Sequence, residues 1–356
     1  MGIDVIIAMN YALDKSETEA EFDDARVAEA LTDVFKQHNL DAIAVEADER
    51  ITDIFRLPSP IRPPFVFNIA EGRGGDSREA QVPGLLEFYR IPYSGSGLVA
   101  QAVSLDKKVT KIMAANNGVA TAKFQLFNSP YEDVTVNFMY PVIVKPNSEG
   151  SGIGISTKSK ANNLDELRAA LEYIIGTYHQ PALVEEFLPG REFTVALYGD
   201  KDKLYRMPIL EIFVDKYKGQ GSLATFAAKY EIEEDIHSGL ADIDKELREK
   251  IYQMAEKTFR AVGARDYARV DIRLGEDGNP YLLEVNLLPG IHPDVEHVSY
   301  FTKICRLAGL DYNPMINGVL HFATARYDNK VRGLFNEELL MGAFDKIKEI
   351  DVSLRD

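Results

Sequence analysis

Short apolar runs alternate with a segment of helical periodicity over the first hundred residues. The runs with the length of buried parallel strands are IDVIIAM, DAIAVEAD and PFVFNIA. Between the first two, Val27, Leu31, Val34 and Phe35 recur at the spacing of one helix face. A Pro-rich segment, LPSPIRPP, predicts a loop before the third run. The order strand, helix, strand predicts a parallel sheet with right-handed crossovers, and therefore an α/β fold.

The pattern changes after about Val103. Further strands are predicted at YPVIVKP, ALVEEFL and REFTVALYG, and helices at LDELRAALEYII and KELREKIYQMAEKTFRAVG. Residues 215–241 mix glycine, charge and aromatic side chains without a period. Such a stretch predicts a long loop of the kind that acts as a lid or binding element.

A hairpin with an acidic face is predicted after these elements. Its turn, GEDGN, carries Asp-Gly between the strand-like segments YARVDIRL and PYLLEVNLLP. Counting outward from that Asp-Gly pair places Asp271 opposite Glu284. The same count places Arg269 opposite Asn286. Two carboxylates and an amide oxygen on one face suit Mg²⁺, whereas the alternative is a solvated polar face of the sheet.

A glycine-rich loop, NSEGSGIGIS, directly follows the strand that ends in Lys145. Glycines let backbone N–H groups approach an anion closely, so this loop and Lys145 predict a phosphate cradle, and a plain surface turn is the alternative. In ALVEEFL, Glu185 and Glu186 point to opposite faces, so one of them points inward and needs a partner. Either a bound nucleotide or a salt bridge would supply that partner.

Charge and composition narrow the classes of partner. The 356 residues carry 40 Lys and Arg against 56 Asp and Glu, a net charge of −16, which argues against a nucleic-acid or anionic-membrane surface. Any bound phosphate must therefore meet a local cationic pocket. One cysteine excludes an internal disulfide framework, and no stretch has the length of an apolar membrane span. We expect a cytoplasmic protein with no signal segment.

Together these segments resemble the D-alanine–D-alanine ligase-like branch of the ATP-grasp ligases. In chain order the matching stretches are VFNIAEGRGGDSREAQVPGLLEFYRIPYSGSG, LDKKVTK, PVIVKPNSEGSGIGIS, LVEEFLPGREFTV, AAKY and ARVDIRLGEDGNPYLLEVNLLPG. The resemblance implies an ATP-grasp fold, α+β in its ATP-binding part. The implied units are a Rossmann-like substrate domain (1–103), a central subdomain (104–188), a C-terminal subdomain with lid 215–241 (189–330) and a helical extension (331–356).

The resemblance implies ATP as cofactor with Mg²⁺, or Mn²⁺ as an alternative. The ATP contacts would be the phosphate ligands Lys107 and Lys145, the ribose ligand Glu192, and the adenine contacts Glu185, Phe187 and Leu188. The metal ligands would be Asp271, Glu284 and Asn286, the three residues that the hairpin count also brings together.

The implied reaction joins a carboxylate to an amine. A carboxylate attacks the γ-phosphoryl group of ATP, and an amine then attacks the acyl phosphate. Arg269, Gly290 and Ser151 would orient the carboxylate and stabilise the tetrahedral intermediate, because its oxyanion needs preset donors. Lys229 and Tyr230 would belong to the closing lid.

Both amino-acid pockets depart from the family pattern. Glu71 replaces the histidine usual in the first-domain loop, and only Glu19 and Glu21 are candidates for the acid that binds the first substrate's amine. We therefore predict a ligase for amino-acid or small amine substrates that are not identified, with no nucleic-acid or membrane partner and a homodimer as in many such relatives. The alternatives are a D-alanine–D-alanine ligase of peptidoglycan synthesis and a nucleotide-binding protein without turnover.

Overall fold

The computed structural model describes residues 3–13, 19–56, 64–213 and 238–355. The strands in this part of the chain form a three-stranded, a four-stranded and a five-stranded sheet. None of the helices found there has the length and apolar character needed to cross a bilayer.

The first sheet is parallel, as predicted. Strand β1 (Val5–Met9) lies between β2 (Ala42–Glu46) and β3 (Phe65–Asn68), and helix α1 (Ala25–Gln37) forms the first crossover. Helix α1 begins where the Asp24 side chain accepts a hydrogen bond from the Arg26 backbone N–H at 2.8 Å. The Pro-rich segment before β3 lies almost entirely outside the described residues.

Three helices lead from the first sheet to the second: α2 (Gln81–Tyr89), α3 (Leu98–Leu105) and α4 (Lys107–Asn116). Helix α4 is fixed at its start because the Asp106 carboxylate accepts a hydrogen bond from the Val109 N–H at 2.9 Å. This cap places Lys107 in the first turn of α4.

The second sheet is antiparallel with the order β4-β7-β5-β6. Its strands are β4 (Phe124–Phe127), β5 (Val142–Pro146), β6 (Lys160–Ala161) and β7 (Ala182–Glu186). Helix α5 (Leu164–Tyr178) covers one face and buries Leu167, Ala170, Leu171 and Ile174 against it.

The third sheet has the order β10-β9-β8-β11-β12. Its strands are β8 (Glu192–Gly199), β9 (Leu204–Ile212), β10 (Ser238–Leu240), β11 (Asp266–Leu274) and β12 (Pro280–Asn286), and helix α6 (Lys245–Val262) packs on it. The predicted loop 215–241 lies outside the described residues up to position 237. Its last part differs from the prediction, because Ser238–Leu240 pairs with β9.

The chain ends in four helices: α7 (Tyr300–Leu307), α8 (Tyr312–Ala325), α9 (Asn329–Arg332) and α10 (Glu337–Arg355). Their apolar faces share one core with β1, β3 and α1 of the first sheet and with β8 and β9 of the third. The first and third sheets are therefore joined by a continuous apolar core, which holds the N-terminal strands beside the β11–β12 hairpin.

The β11–β12 hairpin has the predicted pairing but not the predicted turn. Asp271 lies opposite Glu284, and a three-residue loop replaces the expected two-residue turn. The Gly275 carbonyl accepts a hydrogen bond from Gly278 N–H at 3.1 Å, and Gly278 has a φ of 73°. This is a type I turn followed by a left-handed residue, one of the common hairpin connections.

A β-bulge restores the predicted register. Near the turn Ile272 pairs with Leu282, so a regular ladder would bring Leu283 opposite Asp271. The ladder shifts between Asp271 and Ile272, which leaves Leu283 as an extra residue and brings Glu284 into place. The hairpin count reached the observed pairing because the two irregularities cancel.

The turn generates a stability prediction. Gly278→Ala should lower the free energy of unfolding by about 1 kcal/mol, because a Cβ there meets nothing within 4 Å and the cost is that of a positive φ. Gly342→Ala, in the interior of α10 and equally open, should instead raise it by about 0.5–1 kcal/mol. Urea unfolding of both variants measures the difference, and effects of the same sign would contradict the turn assignment.

Candidate functional site

The paired carboxylates of the hairpin are held by cations from two elements. Arg269 donates to both oxygens of Asp271, through Nε at 3.0 Å and Nη2 at 2.9 Å. Lys107, from the start of α4, places its Nζ 3.5 Å from Glu284 Oε2. Thr194 of β8 adds a hydrogen bond to Asp271 Oδ1 at 2.6 Å. The repulsion between the two opposed carboxylates is therefore compensated from both sides.

Arg269 remains charged in this setting. Burial, the largest influence, disfavours the guanidinium charge, but the ion pair with Asp271 outweighs it and raises the pKa of Arg269. The guanidinium lies 5.6 Å from the centre of the Tyr300 ring, a cation–π distance. Arg269 is thus a fixed positive charge between the hairpin and α7.

The hairpin oxygens fit a magnesium ion. Asn286 donates its amide N–H to Asp271 Oδ2 at 3.1 Å, which leaves its amide oxygen as the acceptor for a cation. Across the described residues, no group of three or more His, Cys, Asp or Glu side chains is placed to hold a metal. Two carboxylates and one amide oxygen are a donor set that would suit Mg²⁺, with its coordination completed by water and substrate phosphates.

Two adjoining cavities meet at the hairpin. The first lies between the second and third sheets, and the predicted site residues that line it are Lys107, Lys145, Glu185, Phe187, Leu188, Glu192, Arg269, Asp271 and Glu284. The second opens toward the first sheet, and the predicted residues found only there are Glu71, Ser151, Asn286 and Gly290. Lys107, Arg269 and Glu284 line both cavities, so they mark the junction.

A buried charge cluster forms one wall of the first cavity. The Glu185 carboxylate, only 2% exposed, pairs one oxygen with Lys145 and the other with Lys111. Burial acts to raise the pKa of Glu185, but the two ammonium groups outweigh it and lower that pKa. Glu185 therefore has the salt-bridge partners that the sequence left open, and it fixes the Lys145 ammonium at the cavity wall.

Two further predicted contacts, Phe187 and Glu192, also line the first cavity. Arg273 donates to Glu192 Oε2 at 3.3 Å. The Phe187 ring lies 4.1 Å from Lys160 Nζ and 5.1 Å from the Arg273 guanidinium carbon, measured to the ring centre. Phe187 and Leu188 offer an apolar edge, and Glu192 offers a carboxylate, the combination that suits a flat base and a ribose.

The glycine-rich loop crosses the junction of the cavities. Ser151, Gly152 and Gly154 all have positive φ values, of 51°, 77° and 75°. Glycine adopts this conformation at little cost, whereas Ser151 holds it against the preference of an L side chain. Lys107 Nζ donates to the carbonyl of Glu149, which ties the loop to α4. The loop is thus shaped to turn backbone groups toward the junction.

An arginine that the sequence reasoning missed connects the loop to the first sheet. Arg78 pairs with Glu21, lies 3.3 Å from Glu149 and donates to the Ser148 carbonyl at 2.7 Å. Glu21, one of the two acids considered for binding a substrate amine, therefore has an internal cation. Glu19, the other, accepts a hydrogen bond from Leu13 N–H at 2.6 Å.

Two other missed residues had a signal in the sequence. Lys111 lies one helical turn after Lys107 in LDKKVTK, on the same face of α4. Arg273 follows Asp271 by two residues and therefore shares its face of β11. Lys229 and Tyr230, predicted in the lid, lie outside the described residues.

The chain is similar to one family and its members. Residues 113–321 match the family described as D-ala D-ala ligase C-terminus. The chain is 32% identical over 308 residues to the "Uncharacterized protein y4sG" of Sinorhizobium fredii, covering 85% of this chain and 88% of that protein. It is 33% identical over 261 residues to the D-alanine–D-alanine ligase of Cupriavidus metallidurans, covering 73% of this chain and 75% of that enzyme.

A solved structure supports the fold. The D-alanine–D-alanine ligase from Bacillus anthracis superimposes with a TM-score of 0.68 over 91% of this chain and 98% of that one, at 22% sequence identity. At this identity the likeness speaks for the arrangement of elements alone.

The buried charge cluster generates a prediction. Lys111→Met should lower the free energy of unfolding by about 3 kcal/mol, because one Glu185 oxygen then loses its buried cation. Lys108→Met is the matched control, on the same helix with a half-buried side chain, and should change it by less than about 0.5 kcal/mol. Urea unfolding at pH 7 measures both, and equal effects would show that Lys111 contributes no specific pairing.

Proposed function

Because the chain belongs to the D-alanine–D-alanine ligase family, we propose that the two adjoining cavities form one active site. The protein is an ATP-dependent, ADP-forming ligase with the ATP-grasp fold, and it joins a carboxylate to an amine. In this proposal the first cavity takes ATP, and the second takes small amino-acid or amine substrates. The resemblance inferred from the motifs is thereby confirmed at the level of family, fold and reaction class.

The observation that carries the proposal is the junction of the cavities. There Lys107, Arg269 and Glu284 line both cavities at once. A group transferred from a nucleotide in the first cavity to a substrate in the second must pass this junction. A protein that only bound a nucleotide would have no use for a buried arginine facing a second cavity.

The cations around the first cavity support phosphate binding. The chain has a net charge of −16, so a triphosphate is attracted only by local positive charge. Lys145 and Lys107 supply it, and Lys145 stays charged because the attraction of Glu185 outweighs the opposing effect of burial and raises the pKa of Lys145. We assign both lysines to the phosphates, Glu192 to the ribose, and Glu185, Phe187 and Leu188 to the adenine end.

The proposed chemistry has two steps. A substrate carboxylate oxygen attacks the γ-phosphorus, the bond to the β-phosphate oxygen breaks, and ADP leaves. An amine then attacks the acyl carbon, the bond between that carbon and the phosphate oxygen breaks, and the phosphate leaves with the amine's proton as the amide bond forms. Arg269, with the Gly290 N–H and Ser151, is assigned to hold the carboxylate and the oxyanion. Mg²⁺, held by Asp271, Glu284 and Asn286, would neutralise phosphate charge in the first step.

Lid residues Lys229 and Tyr230 complete the proposed assignments. Water must be excluded while the acyl phosphate waits for the amine, which is the function that a closing loop serves. A cytoplasmic location and a homodimer remain predictions.

Substrate pairing tests the proposed function. ADP and phosphate release should require ATP, Mg²⁺ and two substrates, and we expect a product mass equal to the sum of the pair minus water. The panel contains D- and L-amino acids and small amines, alone and in pairs. Release with D-alanine alone would identify a D-alanine–D-alanine ligase, and retained ATP binding without release for any pair would favour the non-catalytic alternative.

The magnesium assignment generates a second prediction. Glu284→Gln should lower kcat by about 100-fold or more and raise the Mg²⁺ concentration needed for half-maximal rate, because a metal ligand loses its charge. Glu276→Gln removes the same charge from the exposed turn of the same hairpin and should leave both quantities unchanged. An unaltered Mg²⁺ dependence in Glu284→Gln would refute the assignment.

A further inference from the structure

Three carboxylates on the wall of the second cavity have no partner in the described part of the chain. Asp23, Glu71 and Glu79 line this cavity, and no described residue donates a hydrogen bond to their side chains or forms an ion pair with them. Glu71 is 8% exposed and Glu79 is 9% exposed. Burying a carboxylate without a partner is costly, so these groups are placed for something that enters the cavity.

The pKa values of Glu71 and Glu79 are both raised, as is usual for buried carboxylates that lack a cation. Burial, followed by repulsion from Glu21 and Glu79, raises the pKa of Glu71 well above its usual value, and Arg78 only partly opposes this. Burial, followed by repulsion from Glu21, raises the pKa of Glu79 to about 8, although Arg78 and Lys107 act against it.

Asp23 behaves in the same way. Burial, followed by repulsion from Asp24, raises the pKa of Asp23 to about 7. Two buried hydroxyls without a hydrogen-bond partner in the described residues, those of Tyr267 and Tyr312, also feel its charge. Asp23 and these two hydroxyls are therefore polar groups that no described residue satisfies.

The nearby cations are already engaged. Arg78 is shared between Glu21 and Glu149. Arg26 pairs with Asp24 at 2.6 Å and with Asp294 at 2.5 Å. The positive charge that would compensate Asp23, Glu71 and Glu79 therefore has to arrive with a ligand.

A single metal ion does not meet this need. Within the described ranges, no three acidic, histidine or cysteine side chains lie close enough together to coordinate one ion. Carboxylates that surround a cavity without converging on a point match a ligand whose positive charges are separated along a chain.

We propose that the second cavity binds an amine substrate with two or more positive charges, namely a diamine, a polyamine or an amino acid with a cationic side chain. This inference rests on the proposed ligase function and specifies its substrate class. A neutral amino acid brings one ammonium group, which one carboxylate satisfies. Three unpaired carboxylates fit a substrate with additional ammonium groups.

Pairs of amines that match in size but differ in charge test the inference. ADP release with ATP and Mg²⁺ is compared for lysine against norleucine and for cadaverine against pentylamine, each with a panel of amino acids as second substrate. Release with the cationic member and about 10- to 100-fold less with its isostere supports the inference. Release with neutral amino acids alone would overturn it and leave the proposed ligase function intact. No release with any pair would count against the proposed function itself.

Substitution of the cavity carboxylates tests whether the cationic substrate binds at these residues. Glu71→Gln and Glu79→Gln should each raise KM for the cationic substrate by about 10- to 100-fold, with KM for ATP unchanged, because each removes one charge-assisted contact. Glu29→Gln, on the exposed face of α1, carries the same charge change and should alter neither KM. Equal effects of all three variants would overturn the inference.

Calorimetry gives a readout that does not need turnover. With ADP and Mg²⁺ present, lysine or cadaverine should bind more tightly than its isostere and should release protons at pH 7, because the ligand favours the ionised form of Glu79 and Asp23. Titrations in phosphate and in Tris give the number of protons released. Binding without proton release, or equal affinity for cationic and neutral ligands, would overturn the inference.

Discussion

The hairpin of β11 and β12 sets two carboxylates directly opposite each other, and the arrangement of the site follows from how their repulsion is compensated. Asp271 is clamped by Arg269 from its own strand, and Glu284 faces Lys107 from α4. Lys107 in turn holds the glycine-rich loop through the Glu149 carbonyl. The helix, the hairpin and the loop are therefore positioned by one set of charges, which places them around the junction of the two cavities.

The two cavities share this junction but differ in how their buried carboxylates are compensated. In the wall of the first cavity, Glu185 is paired with both Lys111 and Lys145. On the other side Glu71 and Glu79 lack any cation of their own among the described residues. In the proposed ligase, a triphosphate would meet the lysines of the first cavity and an ammonium group would meet the unpaired carboxylates of the second.

The sequence predicted the fold, and it predicted residues that line the first cavity, because those features are local. Parallel strands, the glycine-rich loop and the acidic hairpin each occupy one continuous segment with its own periodicity or turn signal. The predicted register of the hairpin was also right, but only because two errors cancelled. Counting outward from the Asp-Gly pair missed both the three-residue loop and the bulge at Leu283. A β-bulge does not change the alternation of residue types in a way that can be recognised in the sequence. It is seen only in the hydrogen-bond ladder between the two strands.

The second cavity could not be predicted in the same way, because its residues come together only through packing between distant segments. Asp23 precedes α1 and Glu79 lies just before α2, and both look like ordinary solvated side chains in the sequence, whereas Glu71, after β3, is singled out only through the family resemblance. Glu71 and Glu79 are buried, and all three acids line a cavity that the hairpin also lines. Burial changes what a carboxylate requires. An exposed carboxylate is solvated by water and needs no partner, whereas a buried one must be protonated or be paired with a cation. In the proposed active site, this balance of buried charge would act on the choice of substrate.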